Sequence, residues 1–106
     1  MYKFISLVKS NDKTHKFEVT LYNEETKRNK TIKFGKHGMK DYTLYYDEDG
    51  KIEANKHKKN YLKRHEAKED WTKTGLSTAG FWSKHLLWNK PTLDESLENI
   101  KSVYKL

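Results

Sequence analysis

Tyr2 to Val8 is rich in β-branched and aromatic residues, and from His15 to Tyr22 Phe17, Val19 and Leu21 alternate with Glu18, Thr20 and Tyr22. That two-residue period predicts two strands with one face buried. Ser10-Asn11-Asp12-Lys13 supplies a turn between them. The polar connection Asn23 to Lys30 leads into Thr31-Ile32-Lys33-Phe34, where Ile32 and Phe34 share a face, so a third strand is predicted. Short polar links join antiparallel neighbours more readily than crossovers, which favours a meander. Tyr42, Leu44 and Tyr46 also alternate and Asp49-Gly50 is a tight-turn pair, so Asp41 to Lys51 is expected to hold a short fourth strand.

The period then changes. Glu53 to Lys68 consists mostly of good helix formers without Gly or Pro, with Ala54, Tyr61, Leu62 and His65 as a narrow inward stripe and Lys56, Lys59 and Lys63 on the other side. Trp71 to Gly75 interrupts this pattern. Ser77 or Thr78 can cap a helix running to about Trp88, with Phe81, Trp82, His85, Leu86 and Trp88 on its broad apolar face. Asn89-Lys90-Pro91 stops that helix, and Thr92-Leu93-Asp94-Glu95 is a capping box for a last one. Leu93, Leu97, Ile100 and Tyr104 recur there at helical spacing and predict its inward face.

These elements predict an α+β fold: a three- or four-stranded antiparallel sheet followed by two or three C-terminal helices. At 106 residues the chain fits one domain, residues 1–106. Charged residues (35%) slightly outnumber hydrophobic ones (34%), but 13% aromatic content, with all three tryptophans between Trp71 and Trp88, supplies a small core. There is no cysteine, hence no disulfide and no thiolate metal site. No apolar run approaches a membrane span, and the first residues lack the apolar core of a signal peptide. The expectation is a protein that is not secreted and has no membrane partner, with Asn29-Lys30-Thr31 an incidental sequon.

The formal charge of +7 changes the picture most, because a basic surface attracts polyanions whatever its fold. The stretch Lys56 to Arg64 carries five positive charges and no acid. Gly35-Lys36-His37-Gly38 ends the third strand, and two glycines in four residues imply positive φ or close approach. This loop, with Lys33, Lys36 and Lys40 around it, can contact phosphate, although it is not a Walker A loop and a plain turn accounts for it too.

Catalytic chemistry is hard to find. In Thr78 to Pro91, the densest apolar stretch, no nucleophile has a base beside it and no carboxylates pair. His57 and His65 stand eight residues apart, about 12 Å along a helix, too far to share one ion. Asp47-Glu48-Asp49 lacks the rest of a calcium loop. No catalytic residue, metal ligand or cofactor site is assigned. Trp82 and Trp88 are expected in the core and His85 as a hydrogen-bonded core or boundary residue, while Trp71 is the better candidate for an exposed or interface aromatic.

Lys30-Thr31-Ile32-Lys33-Phe34-Gly35, Gly38-Met39-Lys40-Asp41-Tyr42-Thr43, Tyr61-Leu62-Lys63-Arg64-His65, Thr78-Ala79-Gly80-Phe81-Trp82-Ser83 and Leu86-Leu87-Trp88-Asn89-Lys90-Pro91 follow one another in order. This succession, over about residues 30 to 100, resembles a family of small basic uncharacterised proteins encoded by large DNA viruses. Tyr45 to Asn55 departs from the pattern as an insertion. The resemblance implies viral origin and a virion or genome-associated role, in the virion or in the host cytoplasm or nucleus, and it carries no catalytic residue with it.

The sequence thus favours a non-enzymatic, nucleic-acid-associated viral protein that binds the phosphate backbone with little sequence preference, duplex DNA before other forms. Its contact residues are Lys33, Lys36, Lys40, Lys56, Lys59, Lys63 and Arg64. A structural virion or assembly component held by contacts with other virion proteins is the alternative, and a small metal-dependent nuclease using His57, Asn60 and His65 is the third reading. A homo-oligomer is compatible with each.

Overall fold

The computed structural model describes residues 1–106. Three antiparallel strands, β1 (Tyr2–Lys9), β2 (His15–Asn23) and β3 (Arg28–Lys36), form a meander in the order β1-β2-β3. The α+β architecture is as expected. Phe17 pairs with Phe34 and Val19 with Ile32 across β2 and β3, while Phe4 pairs with Leu21 and Leu7 with Val19 across β1 and β2. The middle of one sheet face is therefore apolar. A bulge between Phe4 and Ser6 leaves Ile5 exposed. β3 begins three residues before the predicted start, because the Asn23 side chain accepts from the Glu25 and Thr26 amides and closes a turn that pairs Asn23 directly with Arg28.

The fourth strand is not formed. Tyr42–Asp49 is a helix, α1, for a reason that the two-residue alternation concealed. Asp41 caps it, its Oδ1 accepting from the Leu44 amide at 3.2 Å. Tyr42, Tyr45 and Tyr46 then stand at helical spacing: Tyr42 is buried, Tyr45 and Tyr46 are part-buried, and Leu44 is exposed. Gly50, at φ +87°, separates α1 from α2 (Lys51–His65). The inward stripe of α2 is the predicted one, with Ala54 and Tyr61 buried and Leu62 and His65 part-buried.

Thr78 caps α3, its hydroxyl accepting from the Phe81 amide. α3 is regular only over Ala79–Trp82 and continues as a π-helical segment, Ser83–Leu87. On a regular helix Leu87 would fall opposite Phe81, Trp82 and His85. The turn widened by one residue brings it inward, and Leu86, Leu87 and Trp88 are all buried. Thr92 caps α4 (Leu93–Tyr104) through the Glu95 amide, and Ile100 is its most buried apolar residue. No helix is long and apolar enough to cross a membrane. Trp82 lies at the centre of the core with Phe81 and Phe34 against it, and its Nε1 donates to the Leu76 carbonyl at 2.8 Å.

Trp71 is not the exposed aromatic that the sequence suggested. It is part-buried against the core, with the Lys84 ammonium 5.4 Å above its ring. Its carbonyl lies 2.8 Å from His85 Nε2 and 3.4 Å from the Tyr104 hydroxyl. A carbonyl only accepts, so neutral His85 carries its proton on Nε2. Burial, the largest cause, holds the imidazole below its ordinary 6.5 against the opposing effect of the Trp71 bond. The unfolded chain therefore binds the proton more readily. The contribution of neutral His85 is complete above about pH 6.5 and is lost as the pH falls through and below that value. Melting at stepped pH should show the parent losing stability between about pH 7 and 5, and His85→Phe losing less. Phe suits the ring cluster with Phe81 and Tyr104, and the Trp71 carbonyl keeps the tyrosine hydroxyl. Equal slopes would dismiss His85 as the titrating group.

Candidate nucleic-acid interface

The glycine loop leaves β3 at Gly35, whose φ is +76°. A Cβ there would lie 2.9 Å from Leu87 Cδ1 and 3.2 Å from Lys16 Cβ, so conformation and close packing both require glycine. Gly38, also at positive φ, lets the chain turn back, and the His37 amide donates to the Thr14 carbonyl at 2.8 Å. The loop is tied at its far end by Lys16 and Asp41, whose side chains pair at 2.7 Å and are 14% and 7% exposed. This pair joins β2 to the cap of α1.

Opposite the loop stands α2, and between them opens a cleft of about 840 Å³. Lys36 and Lys40 contribute from the loop side, and His57, Asn60, Lys63 and Arg64 from α2. The end of the π-helical segment closes the third side with Leu87 and Trp88. Four of the seven predicted contact residues thus meet at one place: Lys36, Lys40, Lys63 and Arg64.

The other three do not. Lys33 alternates with the inward Ile32 and Phe34, which puts it on the opposite face of the sheet, where it pairs with Asp12 at 3.2 Å. Lys56 pairs with Glu53 one turn earlier at 3.2 Å, so the lysine face of α2 is not free of acid as the stretch Lys56 to Arg64 alone suggested. Lys59 is exposed on the flank of α2 and does not line the cleft. Of the cleft cations, Lys40 pairs with Glu48 at 2.6 Å, and that hydrogen bond raises its pKa. Lys36, Lys63 and Arg64 have no ion-pair partner.

The wall behind these charges is aromatic. Tyr45 and His57 stack with centroids 3.7 Å apart and planes at 5°. Tyr61 stacks on Trp88 at 4.5 Å and 6°, and His65 follows Tyr61 at 4.4 Å. Tyr45 lies 6.2 Å from Trp88, which links the two stacks. Tyr61 and Trp88 are almost fully buried, whereas Tyr45, His57 and His65 are part-buried. Burial is the main cause that pushes the Tyr61 hydroxyl up to about 12, so it stays neutral. No three His, Asp or Glu side chains converge as ligands for one metal ion. Glu69 and Asp41 are the acids at the cleft. The Glu69 carboxylate lies over Gly80, where any Cβ would collide with it.

Sequence reasoning missed Tyr45, Lys16 and Leu87. Asp41 as a helix cap was the available signal for Tyr45, while Lys16 and Leu87 reach the cleft only through strand pairing and the π-helical turn.

A family model described as a family of unknown function, DUF5754, matches residues 5–65. The chain belongs to this family. The DUF5754 match takes in nearly all of the sheet together with α1 and α2, hence the loop side and the α2 side of the cleft, and it stops before the π-helical wall. It overlaps the resemblance described from the sequence over residues 30–65 and extends through the strands that precede it. Neither the curated proteins nor the solved structures give a match.

Proposed function

We propose that this protein binds nucleic acid non-enzymatically, through phosphates seated on the cations of the cleft. The observation that carries the reading is the meeting of Lys36, Lys63 and Arg64, each without a carboxylate partner, on facing walls of one cleft. Of the other lysines expected to take part, Lys33 is neutralised by Asp12 and Lys56 by Glu53, and Lys59 stands outside the cleft. A net +7 chain adds long-range attraction, which raises encounter rates without selecting a sequence. Ammonium and guanidinium contacts to the backbone fix register but do not read base edges, so sequence preference is slight. The resemblance to small basic viral proteins supports a genome-associated setting in the virion or infected cell.

Three phosphates neutralised on the unpaired cations give an expected slope of log affinity against log salt of roughly −2 for single strands and −3 for duplexes, through counterion release. Between about 50 and 200 mM salt that is a loss of roughly 20- to 40-fold. Anisotropy titrations of oligonucleotides of arbitrary sequence check this. Absence of binding at about 50 mM salt would remove the reading and turn attention to protein partners.

A further inference from the structure

Resting on that reading, we infer that the nucleic acid taken by this cleft is a single strand, with one base lodged against the Tyr45, His57 and His65 rings while the adjoining phosphates sit on Lys36, Lys63 and Arg64. The shape of the site argues first. Duplex DNA is read by protein that protrudes, since its major groove, about 12 Å wide, receives a helix or a ribbon. Here the unpaired cations line a recess. Its roughly 840 Å³ falls within the 300–1,000 Å³ or so that encloses a ligand of drug size, and a nucleotide is of that size where a double helix is not.

The composition of the wall argues second. A site for backbone alone needs only charge, yet this one sets aromatic rings directly behind the charges, the combination that sequence-tolerant single-strand binders use. The rings divide by exposure. Tyr61 and Trp88 are packed away and hold the wall rigid, and Tyr45, His57 and His65 keep part of their surface at the cleft. A base in a duplex cannot offer its face to them, because both faces are already stacked on neighbours. Asn60, one helical turn from both His57 and Arg64, brings an exposed amide to the same rim, able to donate to and accept from any base edge without selecting one.

The test uses the full chain with a short mixed-sequence oligonucleotide, single-stranded and as a duplex, by anisotropy at about 50 mM salt. The single strand is expected to bind more tightly, and Tyr45→Ala to weaken it by roughly fivefold or more, the lower end of what one stacked base contributes, while duplex binding stays unchanged. Because Tyr45 also packs on Trp88, Tyr45→Phe and His57→Ala accompany it: the first keeps the ring and should bind as the parent does, and the second should weaken the single strand alone. Duplex binding equal to or tighter than single-strand binding, with Tyr45→Ala and His57→Ala both indifferent, would overturn the single-strand assignment and leave the cationic cleft standing through its salt slope. Failure of the parent to bind either form would overturn both.

Discussion

Trp82→Ala is expected to cost about 3–5 kcal/mol, the range for truncating a fully buried aromatic. Trp82 is completely inaccessible, contacts both Phe34 and Phe81, and supplies the donor for the Leu76 carbonyl, so the variant gains a cavity and loses that bond together. Against a total stability of about 5–15 kcal/mol for a single domain, such a loss brings the chain close to unfolding at room temperature. Urea denaturation followed by circular dichroism measures it. Trp82→Phe keeps most of the volume and should fall between the two. An alanine variant that melts with the parent would place Trp82 outside the core.

Asp41→Ala is expected to cost about 3 kcal/mol or more, because it strands the Lys16 ammonium in a largely buried position and removes the cap of α1 at the same time. The double variant Lys16→Met/Asp41→Ala separates these losses. With no charge left unpaired, it should recover most of the stability and retain only the capping deficit of about 1 kcal/mol. The same pair ties the end of the glycine loop to β2. If Asp41→Ala loses no more than a cap is worth, the pair does not hold the loop.

The strands and α4 were legible because one local signal governs each. Phe17, Val19 and Leu21 show the period of a half-buried strand, and Thr92 with Glu95 marks a helix start that the structure uses. α1 was not, because Tyr42, Leu44 and Tyr46 alternate by coincidence, and only the Asp41 cap discriminates a helix from a strand. The π-helical turn that buries Leu87 leaves no periodic trace, since it breaks the period itself. For the site, the sequence could name the cations but not their partners. Asp12 reaches Lys33 across a hairpin, and Glu48 reaches Lys40 only once α1 has folded, so pairing depends on tertiary structure. Glu53 beside Lys56 is different: three residues apart on one helix, it was legible from spacing alone.

The most direct measurement compares two triple variants that remove the same charge, Lys36→Gln/Lys63→Gln/Arg64→Gln from the cleft and Lys33→Gln/Lys56→Gln/Lys59→Gln from outside it. Both are read as salt titrations of whichever oligonucleotide form binds the parent more tightly. The cleft variant should lose nearly all of the slope of roughly −2 to −3, and the outer variant should keep it with only a modest loss of affinity from reduced net charge. Equal flattening in both, or a slope that survives in a folded cleft variant, would contradict the cleft as the binding site.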